Sequence, residues 1–140
     1  RSGRHYRLRA EKSQEKAKRT KNLGAISAST DEVTLLAALI QAESGNQPYE
    51  GQLAVGAVVM NRVRSGAYPN SIHGVIYASG QFTPALNGKV NTVYESGRIY
   101  ASCIKAAEEA ISGVSNVGDL THFRRNNGRD GLVIGNHVFY

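Results

Sequence analysis

The stretch Val33-Thr-Leu-Leu-Ala-Ala-Leu-Ile-Gln-Ala-Glu43 breaks at Ser44-Gly45-Asn46-Gln47-Pro48 and resumes as Glu50-Gly-Gln-Leu-Ala-Val-Gly-Ala-Val-Val-Met-Asn-Arg-Val-Arg64. Two apolar segments of helical length around a sharp break predict a pair of packed helices, and with them a mainly α domain. Ser29 and Thr30 followed by Asp31 and Glu32 supply a hydroxyl cap and first-turn acids for the first helix. Gly45 is expected to end it with a positive φ, and Pro48 to prevent its continuation. The second segment is apolar nearly all round from Leu53 to Met60, which favours a central buried helix despite its valines. Gly56, between Ala54 and Ala57, would let a neighbouring helix approach closely.

Outward from this pair, Ser65-Gly66 closes the second helix and Tyr68-Pro69-Asn70 reads as a loop. Ser71 to Tyr77 reads as a short capped helix. Residues 78–92, with Gly80, Pro84, Asn87 and Gly88, read as a loop carrying an exposed pair, Phe82-Thr83. Ser96 is expected to open a third main helix running from Gly97 to Ser112, with Ile99, Cys103, Ala106, Ala107 and Ala110 inward. Leu120 to Arg124 and Leu132 to Ile134 read as strands joined by a polar turn, with Asn136 to Tyr140 following, so the fold class is α+β with a small C-terminal β-hairpin.

The 140 residues carry a net charge of +6, and its distribution matters more than its size. Residues 1–25 hold nine Lys/Arg against Glu11 and Glu15, whereas the remaining 115 residues carry eight basic and nine acidic side chains. The basicity therefore belongs to a tail too poor in apolar residues to bury a core. Residues 1–27 are assigned as a basic flexible arm or linker and 28–140 as the folded domain. Specific nucleic-acid binding is not expected; contact of the arm with anionic wall polymer or a membrane surface, or simple solvation, remains open. The single Cys103 precludes an intramolecular disulfide and fits an inert core position. No stretch approaches the ~18 uninterrupted apolar residues of a membrane-spanning helix.

Glu43 is the residue least explained by packing. An ionised carboxylate avoids an apolar helix unless paired, and both desolvation and the negative end of a helix dipole raise its pKa. A carboxyl so tuned is what glycosidic bond cleavage uses as general acid. A surface Glu on the last helical turn is the other reading of the same spacing.

The segment Ala42-Glu-Ser-Gly-Asn-Gln-Pro-Tyr-Glu-Gly-Gln-Leu-Ala-Val-Gly-Ala-Val-Val-Met-Asn-Arg-Val63 is followed by Tyr-Pro-Asn-Ser-Ile-His-Gly-Val-Ile-Tyr (68–77), Gln-Phe-Thr (81–83) and Ile-Gly-Asn-His-Val-Phe-Tyr (134–140). In content and order these motifs resemble the SleB-like cell wall hydrolases, the family of the spore cortex-lytic enzymes of Gram-positive bacteria, over about residues 31–140. The resemblance implies a compact domain related to the lysozyme and lytic transglycosylase folds, exported to the cell wall or spore cortex and acting on peptidoglycan glycan strands as a monomer without a cofactor. It also implies Glu43 as catalytic acid and cleavage of the muramyl-β-1,4-glucosaminyl bond with a 1,6-anhydromuramyl product. The chain departs from many relatives in having no Trp and only a short polar turn, Arg124 to Asp130, before its ending, in a region expected to line one end of the sugar groove, which leaves open whether cortex or ordinary wall is preferred.

Within that frame, Thr83 and Phe82 are candidates to hold the sugar near the anomeric carbon, against the alternative of a loop turn with one buried Phe. Tyr49, Gln52, His122, Asn136 and His137 complete the substrate-binding candidates; Tyr49 and Tyr100 read as groove walls or as core aromatics, with core or supporting roles favoured for both. Glu50 reads as a helix N-terminal charge. His122 and His137 could meet across the C-terminal strands, but no third ligand or His-Glu-x-x-His pattern accompanies them, so no metal is expected. Three alternatives to the transglycosylase stand: a muramidase-type hydrolase using water, an N-acetylmuramoyl-L-alanine amidase, and a non-catalytic wall-binding module.

Overall fold

The structure, a computed structural model, describes residues 21–26, 28–78 and 81–140. In chain order the described elements are β1 (Lys21–Asn22), α1 (Thr30–Ser44), α2 (Tyr49–Ser65), α3 (Ile72–Ile76), α4 (Thr83–Leu86), α5 (Lys89–Ser96), α6 (Ala101–Ile111), β2 (Val114–Ser115), β3 (Phe123–Arg125), β4 (Leu132–Ile134) and β5 (His137–Phe139). No helix among the described residues is long and apolar enough to cross a membrane.

The capping residues set α1. Ser29 Oγ accepts the Glu32 N–H at 3.2 Å while a Glu32 carboxylate oxygen accepts the Ser29 N–H at 3.1 Å, a reciprocal capping box. Leu36 to Ile40 are fully buried because α1 packs on α2, α5 and α6 at once. α2 is buried nearly all round, as its composition predicts. At its centre a Cβ added to Gly56 would lie 3.1 Å from both the Ala110 Cβ and Ile40 Cδ1, so the missing side chain lets α1, α2 and α6 meet. Each large aliphatic side chain removed from water here is worth roughly 1.5–3 kcal/mol.

Several expectations are corrected. Gly45 is right-handed (φ −59°), not left-handed; its role is steric, since a Cβ would lie 2.6 Å from the Gln41 carbonyl oxygen and 3.2 Å from Tyr100 Cε2. The expected loop 78–92 contains α4 and the first half of α5. Ser96 ends a helix rather than opening one, because Gly97 (φ 69°) adopts the left-handed cap of α5 and the next helix waits until Ala101. Phe82 is 2% exposed, so only Thr83 of that pair faces solvent. Residues 21–26, assigned to the arm, join the folded body: β1 pairs with β2, the Leu23 N–H donates to the Gly113 carbonyl at 2.6 Å and the Ile26 N–H to that of Ile111 at 3.0 Å. The arm's residues 1–20 lie outside the described residues.

The C-terminal sheet has the order β3-β5-β4. β3 and β4 do not pair with each other across the polar turn; β5 lies between them, antiparallel to both, and the tight hairpin is β4–β5. Arg62 attaches this region to α2. Its guanidinium donates to the Thr121 carbonyl at 2.7 Å and to Gln81 Oε1 at 2.8 Å, and lies 4.9 Å from the ring centroids of both Tyr68 and Phe82.

Candidate active site

Glu43 stands on the last turn of α1, at the wall of an open cleft of about 470 Å³. The same helix end contributes Gln41 and Gly45, α5 contributes Lys89 and Val93, the α5–α6 connection Tyr100, and β3 Arg125. Glu43 is the only carboxylate among these lining residues. Burial pushes its pKa above the ordinary 4.5, and Lys89 pulls in the opposite direction without cancelling the rise.

The walls are fastened by side-chain amides. Gln41 Oε1 accepts the Tyr100 N–H at 2.7 Å and its Nε2 donates to the Arg98 carbonyl at 3.2 Å, which draws the α5–α6 connection onto the end of α1. Tyr100, 55% exposed, thereby presents its ring to the cleft instead of to the core, in line with the groove-wall reading and against the favoured core one. Gln47 Oε1 accepts the Asn136 N–H at 2.8 Å, and Gln47 Nε2 donates to Asn46 Oδ1 at 3.1 Å. The loop after Glu43 is thus tied to the β4–β5 turn.

The other candidates divide. Gln52 is buried and its Nε2 donates to the Gly45 and Gln47 carbonyls at 3.4 and 3.3 Å, so it supports the loop from beneath rather than facing substrate. Tyr49 is half-buried and donates to the Glu109 carboxylate, with Lys105 Nζ 5.3 Å from its ring centroid; it is not part of the cleft lining. Phe82 stacks on Phe123 at 6.1 Å inside the domain and has no free face for a pyranose. Thr83 is exposed on α4, which packs against α1, yet it is outside the cleft lining. Asn136 is exposed in its turn and contributes its backbone to the Gln47 bond. His122 and His137 do not meet: the former is opposite Tyr140, with rings 5.2 Å apart, whereas the latter pairs with Arg125 and meets Phe123 edge-on at 5.5 Å. Burial, then the Arg125 charge, depress the His137 pKa.

Lys89 is a cleft residue that sequence reasoning missed: it is a polar residue in a segment of low apolar content, and only the packing of α5 brings it to the cleft. Arg125 falls within residues 124–130, the region expected to line one end of the groove, and β3 places it in the cleft lining.

With this geometry in view, the family model described as Cell Wall Hydrolase matches residues 46–140. The chain belongs to the cell wall hydrolase family. The range matched begins just past Glu43 and includes α2 to β5. Among relatives of this cell wall hydrolase, the spore cortex-lytic enzyme of Bacillus cereus is 34% identical over 96 residues, which are 68% of this chain and 35% of that protein. The spore cortex-lytic enzyme of Bacillus subtilis is 40% identical over 91 residues, 65% of this chain and 27% of the relative. The chain thus spans about a third of the length of these curated relatives. In three dimensions it is similar to the catalytic domain of the germination-specific lytic transglycosylase SleB from Bacillus anthracis, with a TM-score of 0.69 at 28% identity, covering 81% of this chain and 96% of that one. The catalytic domain of Bacillus cereus SleB gives 0.71 at 28% identity, covering 85% and 96%.

Proposed function

We propose that this domain is a peptidoglycan lytic transglycosylase that cleaves the muramyl-β-1,4-glucosaminyl bond with Glu43 as its single acid and base. The observation that carries the reading is a lone, partly desolvated carboxyl in an open cleft: hydrolysis of a glycoside by water generally employs two carboxylates, whereas internal attack requires one. Protonated Glu43 gives its proton to the glycosidic oxygen as the C1–O bond breaks. The muramyl C6 hydroxyl then attacks C1 and returns a proton to the Glu43 carboxylate, closing the 1,6-anhydro ring. Tyr100 offers the exposed ring face for a pyranose that the buried Phe82 does not. Similarity to a catalytic domain described as a lytic transglycosylase supports the same chemistry.

The setting proposed is the cell wall or spore cortex of a Gram-positive bacterium, with glycan strands as the partner and the basic residues before the domain as an anchor to anionic surface. Muropeptide mass spectrometry after digestion of purified sacculi tests the reaction: 1,6-anhydromuramyl ends are expected, and reducing muramyl ends would replace it with hydrolysis. Loss of all products in Glu43→Gln is expected in the same assay.

A further inference from the structure

The cleft is lined by two cations and one acid, and the cations are not equivalent. Lys89, at the start of α5, acts on the titration of Glu43 and so stands at the reacting end. Arg125 acts instead on His137, from the sheet side of the same cleft. Both are exposed, and among the described residues neither is held in an ion pair. Arg125 is nevertheless well placed: β3 pairs it with His137, and the next residue, Asn126, donates its N–H to the Asn136 carbonyl at 2.8 Å. The Asn136 N–H in turn reaches Gln47 Oε1, so one short chain of hydrogen bonds fixes Arg125 relative to the loop behind Glu43.

A cationic wall in a concave site concentrates anions, and a guanidinium fork matches a carboxylate in two parallel hydrogen bonds. The sugar rings of a glycan strand are neutral. Its carboxylates are confined to the 3-O-lactyl substituent of the muramyl residue, either the lactyl carboxyl itself or, once that is amide-linked, the carboxylates of the attached peptide. We propose that Arg125 is a specificity residue that pairs with a carboxylate borne by the muramyl substituent, so that the cleft selects anionic glycans over neutral ones. This rests on the glycan-cleaving reading above. Lys89 adds to the attraction from α5, while the fork of Arg125 supplies the geometry.

The test is calorimetric binding of Glu43→Gln, which holds substrate without turning it over, to three soluble muramyl glycans of equal length: one with free lactyl carboxyls, one with L-alanyl carboxylates, and one with neutral L-alaninamide. At least one carboxylate glycan is expected to bind about tenfold more tightly than the amide, a difference the size of one charge-assisted hydrogen bond. Which of the two does so identifies the lactyl or the peptide carboxylate as the source. Adding Arg125→Gln should bring all three within about twofold of one another, Arg125→Lys should keep part of the preference, and salt raised to about 0.5 M should weaken only the carboxylate complexes. Equal binding of all three glycans, or a preference that survives Arg125→Gln, overturns the inference and leaves the glycan reading standing. No binding to any of them overturns both.

Discussion

Gln47 accepts the backbone N–H of Asn136 at 2.8 Å and donates from the same amide to Asn46, so one side chain joins the loop after α1 to the β4–β5 turn. The segment that follows Glu43 is thereby referenced to the sheet that carries Arg125. Gln47→Ala should cost about 1 kcal/mol in denaturant unfolding. Turnover of sacculi should fall further, roughly tenfold, because misplacement of a reacting group by a fraction of an ångström is costly. Gln47→Glu keeps the acceptor and should recover most of both; a variant with the stability loss but full turnover would argue against the positioning role.

Glu43→Gln should lower turnover by about 10³-fold, within the range for loss of a general acid. Its effect on stability has a definite sign. The folded pKa of Glu43 lies above the unfolded value near 4.5, so the carboxyl favours the fold most below that pH and the contribution is lost as pH rises through the folded pKa. At pH 7 the substitution removes a partly buried charge, and Tm should rise on the order of 2 °C. A melting series from pH 7 to below pH 4.5 should show that advantage fading.

Lys89 lowers the Glu43 pKa, opposing desolvation. Lys89→Met should therefore move the alkaline limb of the pH–rate profile upward, since the acid retains its proton to higher pH. An alkaline limb that stays in place or moves down would mean that another group sets it.

Gly56 separates three helices, with Ala110 and Ile40 each 3.1 Å from where a Cβ would stand. Gly56→Val inserts a branched side chain among α1, α2 and α6 and should destabilise the domain by about 2 kcal/mol, read from the denaturation midpoint.

Cys103 is fully buried and burial raises its thiol pKa. A thiol-titrating disulfide reagent should leave it unmodified in the native protein and react once in denaturant.

The helices that hold Glu43 were legible because local signals and burial agree there. Ser29 and Glu32 write a capping box, and an apolar run from Leu35 to Ile40 has no alternative to the core. α5 was illegible because Lys89 to Ser96 is mostly polar and is framed by Gly88 and Gly97, which resemble loop punctuation until both prove to be left-handed caps. Phe82 was misplaced for a related reason: a single aromatic among turn residues gives no period, and its burial depends on Phe123 and Arg62, which are distant in sequence. The catalytic candidate could be read from one helix, whereas Lys89, Tyr100 and Arg125 reach the cleft from separate segments: Tyr100 and residues 124–130 were open to a groove reading, but Lys89 carries no pattern of its own. The sheet order was likewise hidden, since a polar turn between two strands looks the same whether they pair with each other or with a third.

The placement of β5 between β3 and β4 separates two kinds of change open to this domain over evolutionary time. Glu43 is carried by a helix whose surroundings tolerate little substitution, as the contacts at Gly56 illustrate. Arg125 is carried at the end of a strand, beside an exposed turn whose length and composition lie outside that packed unit. On the reading proposed above, descendants of such a chain can therefore change which anionic glycan the cleft selects by rewriting residues 125–130, short of Gly131, where a Cβ would strike the Phe139 carbonyl oxygen, while the proposed proton donor is inherited unchanged.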